Sequence, residues 1–230
     1  MQIDRSMPLP SQLNKKYEEF LAKLVLENFY PDRYIDLELS DKPDLRNETM
    51  GIGIEVTSSV EQVDREVVRL WSEAVRLPDG REKDKKIKGL KKLGINYTGN
   101  VQIGKSKHYD SFSVESGPFG KLLSAVECKL DKINQGHYAE MKEYDLFIHS
   151  DICMFPEEIE IKMPWLLRCM EQIHVRQYGF TYIYALCPSM LCIWDLKKRQ
   201  YDVKMLNYDF GKLVFDAKEK VIEREEMQDE

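Results

Sequence analysis

The chain has 230 residues, of which 43% are hydrophobic and 32% are charged, and its net charge is −6. This length fits one domain or one domain with an insertion, and the composition is ordinary for a globular protein. The sequence has no apolar run near the ~20 residues of a membrane span, and the acidic balance argues against a protein that coats nucleic acid through bulk charge.

The first ten residues carry no secretory signal, and the five cysteines show no metal-ligand spacing. Both features predict a protein of the cytoplasm that does not bind membranes.

The first part of the chain predicts a helix followed by three strands. Apolar residues recur at helical spacing from Leu13 to Val25, with Ser11 as the expected N-cap and Pro31 as the stop. Alternation over residues 34–39 predicts a strand. Residues 43–57 predict two more strands, joined by a polar turn over residues 47–51.

Helices and strands then alternate to the end of the chain. We expect strands at 145–149, 180–186, 190–196 and 201–206, the last of them an edge strand, with a candidate strand at 95–103. We expect helices at 60–77, 81–94, 119–134 and 164–178, and a charged helical tail over 212–230. This order predicts one α/β domain with a mixed sheet between helices, in which residues 78–117 form a partly basic insertion.

The hairpin around residue 50 carries the most distinctive chemistry. A four-residue loop over residues 48–51 sets Asp44 opposite Glu55, on the face that Thr57 shares. Two carboxylates side by side on a sheet repel each other, and a divalent cation between them would remove that penalty. Oxygen ligands suit Mg²⁺ or Mn²⁺.

The pattern Pro43-Asp44, followed by Glu55-Val56-Thr57 behind a helix and a strand, resembles the PD-(D/E)XK nuclease superfamily. The resemblance covers about residues 11–150. It implies a restriction-endonuclease-like fold and Mg²⁺ held by Asp44, Glu55 and the backbone carbonyl of Val56. It also implies hydrolysis of phosphodiesters in nucleic acid, DNA rather than RNA, and it is compatible with a homodimer.

Thr57 stands where the superfamily usually has its lysine, so the resemblance leaves activity open. Lys129 is our expected substitute, with Lys132 second, because both lie on one face of the helix over 119–134. Replacing Lys129 with methionine is expected to abolish cleavage and to change thermal stability little. Glu18 on the first helix is a further candidate metal ligand, and Glu27 is its geometric equal.

Seven of the twelve residues from 81 to 92 are Lys or Arg. This run predicts either a solvated helix face or a phosphate-binding arm, in which Lys85, Lys86 and Lys88 would contact substrate.

Three functions therefore stay open: a metal-dependent nuclease, a metal-free module of the same fold used for binding or structure in phage or mobile-element biology, and an unrelated α/β domain in which the two carboxylates are fortuitous.

Overall fold

The computed structural model of the chain describes residues 9–60, 62–92, 118–136, 138–174, 179–207 and 209–228. The expected strand at 95–103, most of the expected insertion and the last residues of the helix predicted to reach 178 lie outside these ranges.

The described residues form one mixed sheet of seven strands in the spatial order β1-β2-β3-β4-β5-β6-β7. Neighbouring strands pair antiparallel except β3–β4 and β4–β5, which are parallel. The bounds are β1 Glu38–Leu39, β2 Leu45–Asn47, β3 Ile52–Ser58, β4 Glu143–His149, β5 Tyr182–Leu186, β6 Met190–Asp195 and β7 Gln200–Met205. A mixed sheet with β7 at its edge confirms the α/β expectation.

Seven α-helices are present in the described ranges. They are α1 Asn14–Phe29, α2 Pro31–Tyr34, α3 Gln62–Arg76, α4 Arg81–Lys92, α5 Pro118–Asn134, α6 Pro156–His174 and α7 Asp209–Gln228. A 3₁₀ turn, Ser11–Leu13, precedes α1, and its N-cap is Pro10. The expected Ser11 cap is therefore wrong.

Each face of the sheet is covered by a pair of helices. The apolar stripes of α1 and α7 pack with Ile54, Val56 and Phe147 on one face. The stripes of α5 and α6 pack with Leu146, Ile148 and other strand residues on the opposite face. Because successive strand residues alternate between faces, Glu55 lies on the α5 side of β3. The position of α5 therefore decides which helical side chains can reach Glu55.

Two elements differ most from their expected bounds. The strand predicted over residues 34–39 is reduced to Glu38–Leu39, because Pro31 starts the short helix α2, and the Tyr34 hydroxyl donates to buried Asp145, 2.8 Å away. Helix α6 begins at Pro156, ahead of the expected Pro164, which lies in the helix interior. The Glu158 carboxylate caps this start by accepting from the Phe155 N–H, 2.9 Å away.

None of the helices in the described part of the chain combines the length and apolar character needed to span a bilayer.

Candidate active site

The hairpin β2–β3 has the predicted register. Leu45 lies opposite Ile54 and Asn47 opposite Ile52, which leaves residues 48–51 as the loop and brings Asp44, the next residue out from β2, beside Glu55. Gly51 closes the loop with a positive φ of 70°, a conformation that glycine adopts without strain. The two carboxylates therefore lie on neighbouring strands, as the sequence predicts.

Backbone contacts hold Asp44 in this position. Its main-chain carbonyl accepts from the Ser40 N–H at 2.9 Å, and its side-chain Oδ2 accepts from the Val56 N–H at 2.8 Å. The N–H and C=O groups of one strand residue project to the same side of the strand. The Val56 carbonyl therefore also faces the Asp44 side, where the resemblance implies a metal ligand.

Gly53 lets the chain before Asp44 approach β3 closely. A Cβ atom on Gly53 would lie 2.8 Å from Pro43 Cγ, 3.0 Å from Tyr144 Cε1 and 3.1 Å from Met141 Cγ. Real Cβ atoms essentially never come closer than 3.0 Å to another heavy atom. The absence of a side chain at residue 53 thus permits the packing that supports Asp44 beside Glu55.

Lys129 reaches the carboxylate pair from α5. Its Nζ lies 2.5 Å from Glu55 Oε2 and 3.5 Å from Asp44 Oδ2, and its side chain is 14% exposed. Glu55 is 2% exposed, so its charge meets little water and depends on this ammonium. The structure brings Asp44, Glu55 and Lys129 together.

Lys132, the second lysine candidate, is exposed one turn further along α5. The rotation of α5 about its own axis is set by its apolar stripe, which includes Val126, Leu130 and Ile133. With that stripe on the sheet, Lys129 borders the carboxylates and Lys132 faces solvent. The two lysines therefore offer a contrasting pair for mutagenesis.

Helix α1 supplies Glu19, which the sequence analysis missed. Lys15 Nζ lies 3.1 Å from Asp44 Oδ1 and 3.2 Å from Glu19 Oε1, and so joins the two carboxylates. Burial raises the pKa of Glu19 above its ordinary value, and the negative charge of Asp44 adds to the rise, although Lys15 and Lys129 oppose it. The sequence did contain one signal that could have identified Glu19, because Lys15 and Glu19 are spaced (i, i+4) and so lie on the same face of α1.

Glu18 and Glu27, the carboxylates favoured from sequence, have other surroundings. The Glu18 carbonyl lies 2.9 Å from His149 Nε2, and the Glu18 charge raises the pKa of Tyr17 after the larger effect of burial. The Glu27 carboxylate pairs with Lys23 and accepts from the Leu37 N–H. Glu19 is thus the α1 carboxylate that the structure links to Asp44.

Tyr138 contributes a hydroxyl on the α5 side. Burial raises its pKa above the ordinary value, and the neighbouring charge of Glu55, to which the hydroxyl hydrogen-bonds, raises it further. The phenol therefore stays protonated and donates to Glu55 at neutral pH. The sequence analysis did not single out this tyrosine, because residues 135–142 show no regular pattern.

Lys15 covers Asp44 from the solvent side, since its side chain is 69% exposed and that of Asp44 only 7%. Burial alone would lower the pKa of Lys15, but the hydrogen bond to Asp44 and the charges of Asp44 and Glu19 outweigh that effect and raise it. Lys15 is therefore fully charged at neutral pH.

The donor set fits a hard divalent cation in its chemistry. Asp44, Glu55, Glu19 and the Val56 carbonyl offer oxygen atoms, the ligands that Mg²⁺ and Mn²⁺ prefer. Within the described ranges no group of three or more His, Cys, Asp or Glu side chains is arranged to hold a metal ion. The Lys129 ammonium contacts both strand carboxylates, so a cation would have to displace it from at least one of them.

The expected substrate-binding lysines on α4 contact carboxylates of their own neighbourhood. Lys85 pairs with Glu82 at 2.7 Å, and Lys86 pairs with Glu73 of α3, while Lys88 is exposed. These contacts partly neutralise the basic run, which favours the solvated-helix interpretation for Lys85 and Lys86.

Comparisons of the chain with protein-family models, with curated proteins and with solved structures give no match.

Proposed function

We propose that the chain is a Mg²⁺- or Mn²⁺-dependent nuclease that hydrolyses phosphodiester bonds, with DNA as the favoured substrate, on a restriction-endonuclease-like core. The observation that carries the proposal is the meeting of Asp44 and Glu55 on neighbouring strands with the Lys129 ammonium 2.5 Å from Glu55. This lysine supplies, from α5, the charge that Thr57 does not supply on β3.

Each residue of the cluster then has a role that its position supports. Asp44, Glu55 and the Val56 carbonyl would hold the cation, and Glu19, which shares Lys15 with Asp44, is the further candidate carboxylate. The cation, when bound, supplies positive charge that polarises a phosphodiester and makes water more acidic. Lys129, released from one carboxylate, would hold the attacking water or balance the charge that develops on the phosphate. Lys15 would neutralise the incoming phosphate.

The charge of the cluster supports a cation partner. Glu19, Asp44 and Glu55 are three carboxylates, and Lys15 and Lys129 are two ammonium groups, so the fully ionised set has an excess of one negative charge. Burial of Glu19 disfavours its charged form, and the pKa of Glu19 is raised for that reason. A divalent cation changes the excess to one positive charge without requiring Glu19 to bind a proton, and the single negative charge of a phosphodiester would then balance it.

A nicking assay on supercoiled plasmid tests the proposal. Asp44→Asn and Glu55→Gln should abolish Mg²⁺-dependent nicking, and Glu48→Gln should retain it, because Glu48 is an exposed carboxylate of the same hairpin. Calorimetry with Mn²⁺ should show binding to the wild-type chain and to Glu48→Gln, and its loss in Asp44→Asn. Nicking that survives both active-site substitutions would refute the assignment.

The ion pairs themselves favour a second candidate, a metal-free module that binds a phosphate-bearing partner. Lys129 and Lys15 already compensate Glu55 and Asp44, so the fold does not need a cation to balance that pair. For this module, Mn²⁺ would produce no heat and the plasmid would stay intact. Polynucleotide binding would still weaken as salt concentration rises, because phosphate contacts release counterions.

A further inference from the structure

In the part of the chain that the structure describes, strand β7 is the last strand of the sheet, pairs with β6 alone and carries two large apolar side chains. Its Tyr201 is 40% exposed and its Met205 63% exposed. Both residues lie on the same face of the strand, with Val203 between them. An exposed edge strand presents unpaired backbone groups and is a template for another strand.

The direction of the free backbone groups follows from the pairing with β6. The Leu206 N–H donates to the Ser189 carbonyl at 2.9 Å, so Lys204 and Asp202, at alternate positions, also direct their backbone groups toward β6. The backbone groups of Tyr201, Val203 and Met205 then point away from β6. In agreement, the Val203 N–H is held at 2.8 Å by the Asp202 side chain of its own strand.

We propose that β7 is a homodimer interface, in which it pairs antiparallel with β7 of a second copy about a twofold axis at Val203. In this register Val203 lies opposite Val203 of the second copy, Tyr201 lies opposite Met205, and Asp202 lies opposite Lys204. Each exposed apolar side chain meets an apolar partner, and each charge meets one of opposite sign. The strand is self-complementary, and this complementarity selects a second copy as its occupant.

The neighbouring registers lack this complementarity. Residues whose backbone groups point away from β6 must pair with residues of the same kind, so the register can shift only by two residues at a time. The smallest such shifts move the twofold axis from Val203 to Asp202 or to Lys204. The first shift places Asp202 opposite Asp202, and the second places Lys204 opposite Lys204, and directly opposed like charges destabilise a strand pair. The charge pattern therefore selects the axis at Val203.

Dimerisation also gives the Asp202 carboxylate a better partner. In the isolated chain this carboxylate accepts a hydrogen bond from the Val203 N–H, which points away from β6. In the dimer that N–H donates to a carbonyl of the second copy, and Asp202 turns to the opposite Lys204. Lys204 is already held on the correct face, because its Nζ lies 4.1 Å from the centre of the Tyr30 ring.

A charge-swap series measured by analytical ultracentrifugation tests the interface. Asp202→Lys and Lys204→Asp should each weaken the dimer on the order of tenfold, since each places two like-charged pairs across the axis. The double variant with both substitutions should restore association. Circular dichroism on each variant shows that the fold is retained.

Cysteine cross-linking tests the register in a chain whose exposed Cys128 and Cys153 are replaced by serine. Val203→Cys should form an intermolecular disulfide on oxidation, because opposed residues of a hydrogen-bonded pair have Cα atoms about 5.5 Å apart. Tyr201→Cys is the matched control and should not cross-link, whereas Tyr201→Cys with Met205→Cys should. A wild-type chain that stays monomeric at its highest soluble concentration, or cross-linking by Tyr201→Cys alone, would overturn the proposal.

Discussion

Replacing Lys129 with methionine removes the ammonium that lies between two nearly buried carboxylates. Methionine keeps the length and apolar stem of the side chain, so the packing of α5 on the sheet is preserved. Glu55, which is 2% exposed, then loses its 2.5 Å ion-pair partner, and Asp44 keeps its ion pair with Lys15 and its hydrogen bond from the Val56 N–H. The substitution therefore separates the charge of Lys129 from its packing.

The expected destabilisation follows from the burial of the pair. Removing one partner of a buried ion pair costs about 3–5 kcal/mol, and the 14% exposure of Lys129 places this case at the lower end. A loss of about 3 kcal/mol corresponds to a fall in Tm of roughly 6–12 °C for a chain of this length. Because Glu55 and Lys129 are both nearly buried, Lys129→Met should lower thermal stability clearly, in contrast to the small change expected from the sequence.

Metal should reverse the stability loss without restoring activity. In Lys129→Met the two strand carboxylates no longer need to release an ammonium, so Mn²⁺ should bind at least as tightly as to the wild-type chain and raise the melting temperature more. Plasmid nicking should nevertheless be lost at saturating metal, because α5 then has no lysine at the site to balance the charge that develops on the phosphate.

Lys132→Met is the matched control, since Lys132 is exposed on the same helix. It should change the free energy of unfolding by less than about 0.5 kcal/mol and leave nicking intact. Differential scanning calorimetry with and without Mn²⁺, beside the nicking assay, measures all of these quantities. Wild-type cleavage by Lys129→Met, or an unchanged Tm without metal, would refute the reasoning.

Three further predictions concern the site and the sheet that carries it. Gly53→Ala should destabilise the chain by about 1–3 kcal/mol in urea unfolding, because its Cβ would contact Pro43 at 2.8 Å, whereas Gly211→Ala, with nothing within 4 Å, should be neutral or slightly stabilising. Burial raises the pKa of Glu19 in the folded chain above its value in the unfolded chain. The contribution of Glu19 to the free energy of unfolding therefore falls as pH rises from the unfolded pKa through the folded pKa. Glu19→Gln should remove that decline in urea titrations carried upward in pH from the ordinary pKa of a glutamate, and an unchanged pH profile would contradict it. Asp145→Asn should cost about 2–4 kcal/mol, since this fully buried carboxylate pairs with Arg33 at 2.9 Å and accepts from the Tyr182 N–H.

Local patterns in the sequence were enough to predict the β2–β3 hairpin and its register. The alternation of side chains along β3 and the polar loop at residues 48–51 determine the register, and the register alone brings Asp44 beside Glu55. The apolar stripes of α1 and α5 likewise predict which face of each helix meets the sheet. These features depend on residues close in the chain, so they can be predicted without the tertiary structure.

The rest of the cluster required the folded chain. The sequence placed Lys129 and Lys132 on one helix face, and only the docking of α5 over β3 brings Lys129 to Glu55 and leaves Lys132 in solvent. In the same way the docking of α1 selects Glu19 over Glu18 and Glu27. Neighbouring helix positions differ in direction by about a quarter of a turn. The apolar stripe of a helix determines which face meets the sheet, but only the position of the helix over the strands decides which side chain at the border of that face reaches the carboxylates.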